Sequence, residues 1–342
     1  MTRILIIRFT SFGDILQATA VLPGIKKQFP KCEVHWLVKE NFKEIPEQNQ
    51  NVDFVWSLPK KSNIFSILKL AFQIHDHEFS HIYDAHRSLR SLILVWVLKL
   101  LNPFKVLHGT QRTKFLSRSK FRLKRLLLFK FGINKFPKPF IGSQSFIEPL
   151  KKWRLDFALE ASGLEFTKDQ QTKVDELLKG HGPFICMAPS AAWPLKRWPV
   201  DHWKSLVKTL ASERIVLLGG PQDEFCEDIR EVNPEKVLNL AGKLSWMESI
   251  YVVSKSRILI SGDTGVLHGA DSLNHPHIAL IGPTAFGYTG RNKGRTMELD
   301  LPCKPCSKDG RGKCKNNLYQ KCMVELRPDD VARECKEVLT SV

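Results

Sequence analysis

Two short turns carry the residue types from which group-transfer chemistry is built. Thr10-Ser11-Phe12-Gly13-Asp14 follows the apolar run Ile4 to Ile7, and Ser261-Gly262-Asp263-Thr264-Gly265 follows Ile258 to Ile260. Each reads as a strand running into a helix, which aims unpaired backbone N–H groups and a positive dipole end at any anion or developing charge placed there. Asp14 has two readings from spacing alone: a helix cap worth ~1 kcal/mol, or a carboxylate that takes a proton from an attacking hydroxyl. Asp263 reads as a cap, leaving the Thr264 and Gly265 amides for a diphosphate. Upstream, Ala188-Pro189-Ser190 closes another strand and Lys196-Arg197-Trp198-Pro199 precedes the next helix. One loop thus brings the Ser190 hydroxyl and the Lys196 point charge to the same sheet edge. The first turn lacks a full Gly-x-Gly-x-x-Gly pattern, so a dinucleotide site there is poorly supported. Two such turns in two halves of one chain imply two ligands brought face to face across a cleft.

The elements that must position these residues alternate along the chain. Strands are expected near Ile4 to Arg8, Glu33 to Val38, Val52 to Leu58, His81 to Asp84 and Lys105 to Leu107. A second series follows near Phe184 to Ala188, Arg214 to Leu218, Val237 to Leu240, Arg257 to Ser261 and His277 to Ile281. The first helix is the clearest, with Ile15, Ala18, Leu22, Ile25 and Phe29 on one face of a 3.6-residue period. Alternation of this kind gives an α/β fold with parallel sheets wrapped by helices, whose ligands sit beyond the carboxyl ends of the strands. At 342 residues two domains are expected. The pattern loosens between Phe136 and Pro183, so the domains are set at 1–160 and 161–342. From Pro328 onward a last helix is expected, with Val331, Cys335, Val338 and Leu339 on one face; packing back on the first domain is allowed for it.

Charge is unevenly shared. Residues 1–150 hold 24 Lys and Arg against 10 carboxylates, the remainder 28 against 25, and Ala85 to Ile147 holds 14 cations and no carboxylate. Such a field attracts phosphates or anionic lipid and weakens with salt. Phe115, Phe121, Phe129 and Phe131 interleave the cations at spacings that suit amphipathic helices on a membrane surface, while none of the nucleic-acid-binding motifs is present. The longest apolar run there, Leu92 to Leu98, falls far short of the ~20 residues of a spanning helix. No signal-peptide pattern precedes Arg8, and a cytoplasmic location is expected.

Four of the eight cysteines cluster as Cys303-x-x-Cys306, Cys314 and Cys322. Structural zinc, reduced thiols packing a loop and a disulfide are the readings left open, a cytoplasmic setting favouring the first two. Cys32, Cys186, Cys226 and Cys335 read as small core residues. His75, His77, His81 and His86 lie close in sequence and read as loop and helix surface residues rather than metal ligands.

As an ordered set, several segments resemble the family 9 glycosyltransferases, the ADP-heptose:lipopolysaccharide heptosyltransferases. They are Ile4-Leu5-Ile6-Ile7-Arg8 with Ser11-Phe12-Gly13-Asp14, Pro189 through Lys196-Arg197-Trp198-Pro199, Leu218-Gly219-Gly220-Pro221, Gly262-Asp263-Thr264-Gly265-x-x-His268 and Leu280-Ile281-Gly282-Pro283-Thr284. The resemblance implies two Rossmann-like domains facing a cleft (GT-B type), the acceptor on the first and an ADP-sugar on the second. It also implies metal-independent transfer with inversion, needing no catalytic cofactor. On this resemblance Asp14 falls on the general base and Lys196 on the phosphate-contacting lysine. Asp263, Thr264, Gly265 and His268 fall on the loop that holds diphosphate and sugar. Gln222, Asp223 and Glu224 compete for the ribose-binding acid, Asp223 being preferred. Ser11, Gly13 and Arg87 are expected on the acceptor side. The implied partners are an ADP-sugar, an anionic lipopolysaccharide core acceptor and an anionic membrane surface, at the inner face of the inner membrane of a Gram-negative bacterium, with no nucleic acid. Two alternatives stand beside it: a family 9-like transferase using another nucleotide sugar, and a basic nucleic-acid-binding protein with a Cys-ligated metal.

Overall fold

The structure, a computed structural model, describes residues 2–107 and 112–341. The chain forms two compact units: Met1–Phe121 with Ser143–Glu165, and Arg122–Gly142 with Phe166–Val342.

The first unit is built on five parallel strands, β1 (Arg3–Ile7), β2 (Glu33–Lys39), β3 (Phe54–Leu58), β4 (His81–Asp84) and β5 (Lys114–Ser117), in the order β3-β2-β1-β4-β5. Ile4 to Ile7 are wholly buried, as a central strand of a parallel sheet covered on both faces requires. Ile7 stands in register with Leu37 on one side and Asp84 on the other. The chain leaves β1 for β2 and later returns to β4 across it, so the order reverses between the carboxyl ends of β1 and β4. That reversal opens a crevice where doubly wound sheets hold ligands.

After β1 the expected amphipathic stripe forms, in two helices rather than one. α1 (Phe12–Ala18) passes through a 3₁₀ turn, Thr19–Val21, into α2 (Leu22–Gln28). Pro23 has no N–H to donate to the Thr19 carbonyl, so the α-helical ladder is interrupted there. Two longer helices, α3 (Ile64–Asp76) and α4 (Leu89–Leu107), pack side by side on the sheet. Their Ile67, Leu70, Ala71, Leu94, Val95 and Leu98 share one buried cluster with Leu5, Ile7 and Leu37. The strand expected at Lys105 to Leu107 is the end of α4 instead, and β5 comes at Lys114–Ser117. Pro103 lies inside the helix without ending it, and buried Asn102 accepts from the Thr113 amide at 3.0 Å, tying the helix to the start of β5.

The second unit carries six parallel strands: β6 (Phe184–Ala188), β7 (Arg214–Leu217), β8 (Val237–Asn239), β9 (Ile258–Gly262), β10 (His277–Leu280) and β11 (Gly294–Met297). Their order is β11-β10-β9-β6-β7-β8, reversing between β6 and β9. Alternate residues feed opposite cores, as the period of two demands. Ile185, Met187, Ile258 and Ile260 enter one cluster, Phe184, Cys186 and Leu259 the other. β11, with the sequence Gly-Arg-Thr-Met and both central residues exposed, lacks the β-branched apolar run that announces a strand.

Along the sequence the second unit also takes in a stretch ahead of residue 143. The helix α5 (Arg122–Phe131) and the stretch to Gly142 belong to the second unit. There Phe136 and Phe140 pack edge to face on Phe286, at 5.1 and 5.2 Å, and Lys138 pairs with Asp300 at 2.9 Å. The second unit also holds α6 (Val200–Thr209), α7 (Gly265–Ser272) and the last helix, α8 (Pro328–Ser341), which packs on α6. α8 sinks Val331, Ala332, Cys335 and Val338 into that unit's core, with Leu339 against its rim.

Candidate active site

In the first unit the chemistry gathers where β1 and β4 end. Arg8, one residue past β1, is buried and donates to the Ala85 carbonyl at 3.0 Å, while its second terminal nitrogen meets Asp14 Oδ2 at 2.7 Å. The same Oδ2 accepts from the Ser11 hydroxyl at 3.0 Å and the Ser11 amide at 3.4 Å. Asp14 closes the N-terminal turn of α1 through Ser11, and its side chain stays 45% exposed. Desolvation works against its charge, but the Arg8 guanidinium, the Ser11 hydrogen bonds and Arg118 outweigh that and hold the carboxyl below the usual range.

The neighbours are arranged by Asp84, the last residue of β4 and fully buried. Its Oδ1 accepts from the His86 and Arg87 amides at 3.0 and 2.7 Å. This folds a turn in which Arg87 takes a left-handed φ of 51° and is exposed. Burial, with Arg8 and Lys120 close by, pulls the His86 imidazole down to about 3, so it is neutral at physiological pH. Arg118 lies over the Phe146 ring at 3.8 Å and donates to Ser145 Oγ, and Arg8 lies over the same ring at 5.4 Å. Ser11 is exposed and Gly13 sits in the first turn of α1.

In the second unit the ends of β6 and β9 carry the other half. Thr264, not Asp263, is the cap of α7: its Oγ1 accepts from the Leu267 amide at 3.4 Å and pairs with Ser261 Oγ at 3.0 Å. The amides of Gly265 and Val266 have no acceptor within the helix by its geometry. Asp263 is displaced from capping because it is spent elsewhere. Its Oδ2 receives the Lys196 ammonium at 3.0 Å and the Thr284 hydroxyl at 2.8 Å, and Oδ1 faces His268 Nε2 at 3.4 Å. Desolvation opposes the charge, yet Lys196 and His268 hold the Asp263 carboxyl far below its ordinary value.

Close backbone approach makes this pairing possible. A Cβ on Gly287 would stand 2.4 Å from Asp263 Cγ, and one on Gly310 2.6 Å from Lys196 Cγ. Ser190 is half-buried two residues past β6. Asp223 accepts from the Gly220 amide at 2.6 Å and so closes the turn after β7. Arg8, Arg118 and Thr284 were absent from the sequence-based set. Arg8 and Thr284 each had a signal, since each closes one of the segments that carry the family resemblance, while Arg118 had none.

A family model for glycosyltransferase family 9 (heptosyltransferase) matches residues 139–320, the segment holding Ser190, Lys196, Asp223 and Asp263 to His268. The chain belongs to glycosyltransferase family 9. This family 9 enzyme is 24% identical to lipooligosaccharide heptosyltransferase 2 of Haemophilus influenzae, over 98% of this chain and 99% of the relative. Its fold is that of the family 9 glycosyl transferase from Veillonella parvula, with TM-score 0.75 at 20% identity over 100% of this chain and 98% of that one. The E. coli ADP-heptose lps heptosyltransferase II gives TM-score 0.72 at 18% identity, covering 100% and 99%. The protein is thus a glycosyltransferase of the GT-B type, two Rossmann-like units in one chain.

Proposed function

We propose that this family 9 glycosyltransferase moves heptose from ADP-heptose to the inner core of lipopolysaccharide, with inversion at the anomeric carbon and without a catalytic metal. The observation that carries the reading is the Lys196–Asp263 pair set beside the α7 N-terminus at the β6/β9 reversal. The names of the relatives, a lipooligosaccharide heptosyltransferase and an ADP-heptose heptosyltransferase, support the donor and acceptor.

In this mechanism Lys196 and the Thr264 and Gly265 amides meet the charge that grows on the departing diphosphate. Asp263 carries a negative charge of its own and is unsuited to touch phosphate. It positions Lys196, and with His268 it is left to receive sugar hydroxyls. Ser190 and Asp223 serve the donor, the latter at the ribose. On the first unit Asp14 accepts the proton of the attacking acceptor hydroxyl, with Ser11, Gly13 and Arg87 on the acceptor side. Its lowered pKa makes it a weak base at rest, so the proton moves late, once bond formation has made the hydroxyl acidic.

The acceptor is carried by a lipid, and the outer face of α3 and α4 suits an anionic membrane. Phe65 and Phe72 on α3 and Leu89, Leu92, Trp96 and Leu100 on α4 are exposed, the four on α4 within a run free of carboxylates from residue 85 to 147. Trp and Leu beside Lys and Arg form the surface of an interfacial helix. No helix among the described residues is long and apolar enough to cross a membrane, and the attachment proposed is peripheral, at the cytoplasmic face of the inner membrane. Purified protein given ADP-heptose and a heptose-deficient core lipid should release ADP. Release from UDP- but not ADP-sugars in a donor panel would replace the donor, and equal sedimentation with neutral and anionic vesicles would remove the membrane reading.

A further inference from the structure

Across one half of the second sheet the strands stand in the order β6, β9, β10, β11. Lys196 follows β6, Asp263 follows β9, Thr284 follows β10 and Glu298 follows β11. Each step away from Lys196 along this carboxyl edge therefore crosses one strand spacing of about 4.8 Å. Thr284 and Glu298 line a cavity of about 110 Å³, together with Phe136, Phe140, Tyr288 and Lys304. All of them belong to the second unit. The space holds roughly eight water-sized bodies, enough for one end of a substrate and too little for a nucleotide.

Its wall carries charge where ordinary packing would be apolar. Lys304, with a side chain 7% exposed, donates to Glu298 Oε2 at 2.7 Å and to the Ile281 carbonyl at 3.1 Å. The buried Tyr288 hydroxyl donates to the same Oε2 at 2.8 Å. Burial and the neighbouring Glu298 push that hydroxyl up, so it stays a donor. A buried ion pair adds little stability over apolar residues of the same size, so stability alone does not account for this one. Both bonds fall on Oε2, which leaves Oε1 to accept from a ligand, and Lys304 keeps a third N–H to donate.

The charges cancel in pairs: Lys304 with Glu298, and Lys138 with Asp300, also on the wall, at 2.9 Å. A phosphate meets no unpaired cation there, and a cation no unpaired carboxylate. What remains is a few placed donors and acceptors beside the Phe136 and Phe140 rings, the make-up of a site for a neutral, hydroxyl-bearing group. Lys304 also lines a second cavity of about 10 Å³ among Cys303, Cys306, Cys314 and Cys322, none of them in a disulfide. That space admits about one water, and among the described residues no three His, Cys, Asp or Glu side chains are grouped to hold a metal ion. A substrate group fits the larger cavity and not this one.

We propose that the cavity lined by Thr284, Tyr288, Glu298 and Lys304 receives the exocyclic, hydroxyl-bearing arm of the transferred sugar and so selects a heptose over a hexose. Thr284 joins it to the donor site, its hydroxyl donating to Asp263 Oδ2 at 2.8 Å, and Asp263 is the carboxylate left to receive hydroxyls of the sugar ring. A heptose carries one exocyclic carbon and hydroxyl more than the matching hexose. Glu298 Oε1 is the acceptor for that hydroxyl and the third Lys304 N–H its donor. An anionic acceptor core does not match a wall whose charges are already paired. The assignment rests on the reading of the protein as a heptose transferase.

The test is steady-state turnover of ADP-heptose and of its six-carbon counterpart ADP-mannose by the full-length protein, with ADP titrated calorimetrically into the same samples. The wild type should prefer ADP-heptose in kcat/KM by about tenfold to a hundredfold, the discrimination that one extra group in a fitted pocket gives. Glu298→Gln should lower that ratio about tenfold, the loss of one charged hydrogen bond. The conservative Tyr288→Phe should lower it less. Ala285→Leu, which fills the cavity without touching a charge, should lower it too. ADP, which lacks the sugar, should bind all three as it binds the wild type. An unchanged ratio in all three variants overturns the subsite, and so does a raised KM for the core lipid at an unchanged donor ratio, which would seat the acceptor there. If the wild type uses neither ADP-sugar and releases another nucleotide, the heptose reading fails by itself. The cavity is then decided by the same three variants, with the sugar in use compared against its analogue one exocyclic carbon shorter.

Discussion

Asp14 and Asp263 are the same residue type in the same topological place, just past the carboxyl end of a central parallel strand and at the mouth of a helix, yet their surroundings make them opposites. Asp14 concentrates Arg8 and Ser11 on one oxygen and keeps its side chain 45% exposed. Asp263 divides Lys196, Thr284 and His268 between both oxygens and is only 12% exposed. A carboxylate with an accessible oxygen can exchange a proton with a ligand; one enclosed by fixed donors chiefly organises them. Strand-to-helix topology supplies the position, and the partners decide the chemistry.

The comparison breaks most severely if Asp14→Asn keeps its rate. Loss of a general base costs ~10²–10⁴ in turnover, and kcat from ADP release should fall in that range. Next is Lys196→Ala, which strands the buried Asp263 charge. Removing one partner of a buried pair costs about 3–5 kcal/mol, readable by urea unfolding. The Lys196→Met, Asp263→Asn double variant should recover most of the stability and none of the ADP affinity. The pH sign is fixed by the depressed Asp263 carboxyl. Its contribution is present above the ordinary carboxylate pKa and is lost only as pH falls through the lowered one, so the wild type should hold this increment at pH 4.

Arg8→Gln sharpens the first half. Without the guanidinium the Asp14 pKa rises, and the acid limb of kcat/KM should move to higher pH while the neutral plateau changes less. An unmoved limb would mean that Arg8 does not tune Asp14. Smallest is Thr284→Val, which removes one hydrogen bond to Asp263. A loss of about 1–3 kcal/mol in stability is expected, with a modest rise in KM for the donor.

Much of this contrast could not be read from the chain. Ile4 to Ile7 and Ile258 to Ile260 announce central strands because burial on both faces demands unbroken apolar runs, and the two turns follow from them. Thr264 taking the cap, and Asp263 pairing with Lys196, depend on residues 67 positions apart meeting at adjacent strand ends, which spacing cannot encode. Arg8 looked like the end of a strand and proved to be the partner of Asp14. The carboxylate-free run divided between the units because Phe136 and Phe140 pack on Phe286, a contact made by tertiary fit rather than local pattern. The strand expected at Lys105 to Leu107 is taken up by the end of α4, which runs on through Pro103.

The division of roles between the two aspartates is tested most directly by calorimetric titration of ADP into Asp14→Asn and Lys196→Ala, with kcat measured on the same preparations. The account predicts unchanged ADP affinity with collapsed turnover for the first, and lost ADP affinity for the second. Equal loss of ADP affinity in both, or near-normal turnover in Asp14→Asn, would contradict it.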